Sequence, residues 1–161
     1  MKGVEGDLLG SNMMALVNPV NTVGVMGKGL ALQFKNAYPN NFKAYLKACK
    51  QDQVRVGKMF IFDCGLQHSP RYIINFPTKQ HWRHPSKLEY IGTGLEDLIL
   101  QIQTLEIQSI AIPALGVGLG GLDWRVVKPL IIKAFVALPD VQVLLFEPQE
   151  KSNPRASVEL I

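Results

Sequence analysis

Three stretches of this chain carry residue types suited to work on a phosphorylated ligand. The first is VNPVNTVGVMGKGLALQF, where the apolar run 13–17 ends in Asn18 and Asn21 and a loop with Gly24, Gly27 and Gly29 follows. The second is a further glycine loop, Gly116, Gly118, Gly120 and Gly121, behind the apolar run IAIPAL. Glycine lets backbone N–H groups approach a ligand closely, and a helix N-terminus behind the loop favours an anion. A single loop of this kind is also compatible with an ordinary tight turn. Two of them at strand ends can clasp the two phosphates of a diphosphate from opposite sides. The first loop is not a P-loop, because Gly29 stands where a Ser or Thr would follow Lys28, and it is not GxGxxG. The third stretch is PTKQHWRHPSK, in which Thr78 and Lys79 lead a cationic and aromatic loop too polar to be core.

These stretches need a scaffold that brings strand ends together. Apolar runs predict strands over 4–9, 13–18, 58–63, 71–76, 109–115 and 141–146. Helical spacing of Leu30, Ala31, Phe34 and Ala37 predicts a helix that stops before Pro39, and Asn40 or Asn41 is expected to cap the next, with Phe42, Tyr45, Leu46 and Cys49 on one face. Ser86 and Glu89 read as a capping box for a long amphipathic helix marked by Leu88, Ile91, Leu95, Leu98, Ile99 and Ile102. A last helix is expected over 127–138, with Asp123 capping a short turn before it and Pro129 in its first turn. The alternation implies a mixed sheet between helix layers, with ligands at the carboxyl ends of strands. Both glycine loops, the two asparagines and the Thr78-Lys79 pair are expected there. Asp7 is open to two readings, a turn cap or an acceptor for an adenine amino group.

Composition narrows the class. At 161 residues and 47% hydrophobic the chain suits one domain with a full core. We read 1–147 as that domain and 148–161 as a tail, the possible start of a linker to a toxin-binding segment. No apolar run reaches the roughly 20 residues of a membrane helix, and the N-terminus has no apolar signal segment, so a cytoplasmic protein with no membrane contact is expected. Cys49 and Cys64 form no CxxC pair and are read as free thiols; no metal site and no cofactor is assigned. The formal charge of +4 permits a nucleic-acid partner. No long apolar helix face is left over, so a monomer is expected.

The early GDLL, the first glycine loop and PALGVGLGGLDW together resemble the macrodomain family, the three-layer α/β/α fold that binds ADP-ribose. INFPTKQHWRHPSKLEYI, with its lysine after FPT, is most similar to the macrodomains of DarG-type antitoxins, in the terminal ADP-ribose glycohydrolase class. The resemblance implies an enzyme that removes ADP-ribose from thymidine in single-stranded or duplex DNA and so reverses a cognate DarT-type toxin. It implies that Asp7 and Leu8 hold the adenine and Asn21 the distal ribose. The diphosphate falls to Gly24, Met26, Gly27, Lys28 and Gly29 on one side and to Gly116, Val117, Gly118, Leu119 and Gly120 on the other, with Val20, Thr22 and Thr78 completing the binding site. Lys79 carries the chemistry, assisted by Asn21. One departure stands out: human-type members of this class have an Asp in the second loop where this chain has Gly120. Water, the substrate or another side chain must then serve as acid or base, or turnover is slower.

A lysine nucleophile must shed its proton near neutral pH. Desolvation would depress the Lys79 pKa, and so would His81 or Arg83 if turned inward. Trp82 could stack on a flanking base or pack on its own domain. The competing functions are a non-catalytic ADP-ribose reader and a hydrolase of protein-linked ADP-ribose esters.

Overall fold

Apolar strands alternate with amphipathic helices along the chain, and the computed structural model, which describes residues 1–148, assembles them into one mixed sheet. The strands are β1 (Lys2–Val4), β2 (Ala15–Asn21), β3 (Phe60–Asp63), β4 (Tyr72–Lys79), β5 (Ser109–Ile112) and β6 (Gln142–Phe146), in the order β1-β6-β5-β2-β4-β3. Every neighbouring pair is parallel except β3 with β4. The helices are α1 (Gly29–Ala37), α2 (Pro39–Lys50), α3 (Leu88–Thr104) and α4 (Trp124–Phe135).

Side chains alternate across the pleat, and both faces are covered. Ala15, Val17, Ile74 and Phe76 pack against Ile91, Leu95 and Leu98 of α3 and Val127 and Ile131 of α4. Leu16 and Ile73 turn the other way, onto Phe34 of α1. Val20 joins Tyr45 and Ala48 of α2. This is the expected α/β/α arrangement. Phe146, ending β6, is core beside Leu8 and Phe34. Among the described residues no helix is long and apolar enough to cross a membrane.

An amide cluster locks α2 to the sheet. Asn18 and Asn75 stand opposite each other in the β2–β4 register and are fully buried. Asn18 Nδ2 and Asn41 Nδ2 donate to Asn75 Oδ1 at 3.1 and 3.2 Å, and Asn75 Nδ2 donates to Asn41 Oδ1 at 2.8 Å. Asn18, expected beside Asn21 at the ligand end, is therefore part of the core. Asn41 caps nothing: Tyr38 is the N-cap of α2 and Pro39 opens it, leaving Asn41 inside the helix.

Other boundaries also differ from the sequence reading. Of the expected strand over 4–9 only Val4 is in β1, because Gly6 turns the chain at φ +116° and Asp7 starts a 3-10 turn, Leu8–Gly10, by accepting from Leu9 N at 3.0 Å. Asp123 caps α4 itself, accepting from Arg125 N at 2.9 Å, so the helix begins at Trp124 and Pro129 falls in its second turn. Ser86 makes no capping bond, since Lys87 is the N-cap of α3. Both β2 and β4 run three residues past their expected ends. Of the expected tail, all but Pro148 lies outside the described residues.

Gly94 of α3 sets the spacing to the sheet, because a Cβ there would collide with the Phe76 ring. Gly94→Ala is expected to destabilise the fold by about 1–2 kcal/mol, overpacking outweighing the helix propensity gained. A fall in the urea midpoint checks this; an unchanged midpoint would show that the contact does not set the α3–β4 distance.

Candidate functional site

The carboxyl ends of β2, β4 and β5 open into a cavity of about 730 Å³. One wall is the start of α1, Lys28 to Ala31. That helix end has no side-chain cap and no acidic residue in its first turn, so its free N–H groups and partial positive charge suit an anion. The facing wall is Gly116, Val117, Leu119 and Gly120. The two walls approach each other closely, for a Cβ on Gly29 would lie 3.5 Å from Leu119 Cδ1.

Asn21 organises the first loop. Its Oδ1 accepts from Val23 N at 3.1 Å, Val25 N at 3.3 Å and the Tyr45 hydroxyl at 2.9 Å, and its Nδ2 donates to Val25 O at 2.7 Å. The Tyr45 hydroxyl, fully buried, also reaches Asn21 O at 2.7 Å. The acceptor side of the amide is thus spent within the protein. One Nδ2 hydrogen is left for a ligand.

Lys79 is placed by an irregularity in the sheet. Val20 pairs with Pro77, yet Asn21 pairs with Lys79, so Thr78 is an extra residue. A bulge of this kind breaks the pleat alternation and re-aims the side chain beyond it. The half-buried Lys79 lines the cavity, its Nζ donating to Leu119 O at 2.9 Å and to Trp82 O at 3.5 Å. Burial pushes its pKa below the usual lysine value. His81 and Arg83 do not share in that shift. They bracket Trp82 instead, the His81 ring stacked at 5.4 Å and the Arg83 guanidinium 4.6 Å from the indole centroid. Trp82 is 44% exposed and lines the cavity with Arg83 rather than packing into the domain.

The structure also gives a physical reason for Gly120. A Cβ there would lie 2.6 Å from Ser86 Oγ, and Ser86 N donates to Gly120 O at 2.9 Å, so Ser86 occupies the space that any side chain at 120 would need.

A cavity between two glycine loops, closed at one end by a lysine, now has a family to be set against. A model described as Macro domain matches residues 17–131. The chain belongs to the macrodomain family. It is 55% identical over 156 residues to a Thermus aquaticus protein named DNA ADP-ribosyl glycohydrolase, an alignment covering 97% of this chain and 43% of the relative. The solved macrodomain of Thermus aquaticus DarG is 56% identical with TM-score 0.89, over 91% of this chain and 97% of that one. The structure of Thermosipho africanus DarTG in complex with ADP-ribose is 35% identical with TM-score 0.85, over 97% of this chain and 43% of that one. The chain spans less than half the length of the curated relatives it matches at above 50% identity.

Within this macrodomain the cavity gathers many of the expected site residues. Val20, Asn21, Gly27, Lys28 and Gly29 line it from the first side, Thr78 and Lys79 from β4, and Gly116, Val117, Leu119 and Gly120 from the second loop. Six expected residues lie outside the lining. Asp7 caps the 3-10 turn before β2, and Leu8 is buried against Phe34 and Phe146. Thr22 Oγ1 donates to Gln80 O at 2.7 Å, tying the first loop to the segment after Lys79. Gly24 backs onto α2, Met26 is 1% exposed in the core, and Gly118 sits on the outer turn of the second loop. Sequence reasoning missed Pro19, Val25, Leu30, Ala31, Pro113 and Ala114 in the lining, and Tyr45 behind it. Pro113 and Ala114 had a signal: they follow β5 directly, at the same sheet end as both loops.

Proposed function

We propose that this macrodomain is a DNA ADP-ribosyl glycohydrolase that removes ADP-ribose from modified thymidine and so acts as antitoxin to a DarT-type transferase, as a cytoplasmic monomer. The observation that carries the reading is the Lys79 amine, re-aimed by the Thr78 bulge into the cavity between two loops suited to a diphosphate and with its pKa lowered by burial. Similarity to a protein named DNA ADP-ribosyl glycohydrolase at 55% identity and to a DarTG complex with ADP-ribose at 35% identity supports the substrate and the partner.

The bond to be broken joins the anomeric carbon of the distal ribose to a base nitrogen. Opening of the sugar ring breaks the bond from that carbon to the ring oxygen, which keeps the electron pair and takes up a proton. The carbon, still at the aldehyde level of oxidation, is left as an electrophile doubly bonded to the base nitrogen. The neutral Lys79 amine adds to it, and the base departs with the bonding electron pair and takes up a proton. Water then releases ADP-ribose from the lysine adduct and restores the amine. The diphosphate lies between the α1 N-terminus and the second loop, where backbone N–H groups fix it without spending side chains. The remaining Asn21 N–H orients a hydroxyl of the distal ribose.

Incubation with thymidine-linked, glutamate-linked and free ADP-ribose tests the assignment. Release from the thymidine conjugate at a rate at least tenfold above the glutamate ester is expected. Release from the ester alone would make this a protein-directed hydrolase, and tight binding with no release from either would make it a reader.

A further inference from the structure

Carboxylates are missing from two long tracts of the chain. From Leu8 to Gln51 there are five lysines and no Asp or Glu, and from Cys64 to Leu88 there is again no carboxylate among Arg71, Lys79, Arg83 and Lys87. The fold brings the two tracts together beside the cavity. Gly24 of the first loop rests on the C-terminal half of α2, where a Cβ would lie 2.9 Å from Leu46 Cδ1 and 3.7 Å from Cys49 Cβ. The Thr22–Gln80 hydrogen bond then joins that loop to the segment bearing Trp82, Arg83 and Lys87.

On α2 itself Lys43, Lys47 and Lys50 are exposed at i, i+4 and i+7, which aligns them in one stripe along the helix. The ion pairs among the described residues are Arg71–Asp63, Arg125–Asp123 and Lys128–Glu147, and none involves this stripe. Lys47 and Lys50, in the last turn, also complement the carbonyl end of the helix. Lys43 lies in the first half and has no such reason to be there.

We infer that the Lys43–Lys47–Lys50 stripe is a track for the phosphodiester backbone of the nucleic-acid strand whose modified base enters the cavity, on the helix against which the first loop rests, with Arg83 lining the cavity itself. The inference rests on the proposed DNA substrate. Lysine ammonium groups hold phosphates as point charges without reading bases, so the track adds affinity and register and no sequence preference. A nucleic acid fits better than an acidic protein surface because the helix bearing the stripe packs against Gly24 of the loop that lines a pocket for a nucleotide-type group, and a strand must leave that pocket in some direction.

The triple variant K43Q/K47Q/K50Q tests this, with a thermal melt to establish that it is folded. Its affinity for an unmodified fluorescent single strand is expected to fall at least tenfold at low salt, and the slope of log affinity against log salt to shrink by about 2, since each lost phosphate contact removes about 0.7. Hydrolysis of a long modified strand should fall in parallel, while hydrolysis of a single modified nucleotide stays unchanged. Equal affinity and equal salt slope in variant and wild type would overturn the track. So would polyglutamate binding the wild type as tightly as the strand. The strand-binding arm does not depend on turnover, so a protein that binds DNA through the stripe yet hydrolyses no thymidine conjugate would sink the proposed activity and leave the track standing.

Discussion

Lys79→Ala is expected to lose hydrolysis of the thymidine conjugate by at least a thousandfold while still binding ADP-ribose. A thousandfold loss corresponds to about 4 kcal/mol of barrier, in the range expected when a nucleophile is removed and the binding surfaces remain. Binding should persist because the proposed diphosphate position, between the α1 N-terminus and the second loop, does not depend on the Lys79 side chain. Lys79→Arg should be nearly as inactive: a guanidinium keeps its proton and cannot form the adduct, although it preserves the charge. The pair of variants separates nucleophilic catalysis from electrostatic stabilisation, which arginine could partly supply. The wild-type rate should rise with pH, because the amine reacts only when neutral, and level off below the usual lysine value, because burial lowers the Lys79 pKa. A rate flat in pH across the neutral and mildly alkaline range would remove the amine from the chemistry, and so would full activity in Lys79→Ala.

Gly118→Val is expected to weaken ADP-ribose binding about tenfold or more in a protein that still folds. Gly118 sits at φ +72°, a conformation that a β-branched residue adopts only with strain of about 1–3 kcal/mol, so the second loop must shift. A Cβ at this position meets nothing within 4 Å, so the core is untouched and the cost falls on the loop. Gly116 would be a poorer probe, because a side chain there would collide with Leu122 at 2.7 Å and Ile91 at 3.1 Å and confuse folding with binding. Calorimetry showing wild-type affinity in folded Gly118→Val would show that binding does not depend on the left-handed turn at Gly118.

The fold was legible where residues signal by hydrophobicity. Alternating apolar runs and the long stripe of α3 place the sheet and its helix layers correctly, since burial is what those patterns encode. They fail at the end of the sheet that opens into the cavity. Both β2 and β4 continue three residues beyond their expected ends, through Asn21 and Lys79, because polar residues interrupt the apolar pattern while the backbone ladder continues. The Thr78 bulge leaves no trace in spacing, although it aims the lysine. Asn18, Asn41 and Asn75 look like turn, cap or strand-end residues one at a time. Only the register of β2 on β4 with α2 above them turns the three into one buried amide cluster. Asn21 was singled out by type, but its hold on the first loop through Val23, Val25 and Tyr45 needed the third dimension.

Reductive trapping tests the central claim most directly. Borohydride added while the protein turns over thymidine-linked ADP-ribose should fix the ligand covalently, and peptide mass analysis should place the adduct on Lys79 in the wild type and nowhere in Lys79→Ala or Lys79→Arg. Sustained turnover under the same conditions with no adduct on Lys79, or an adduct on another residue that persists in both variants, would contradict a lysine nucleophile.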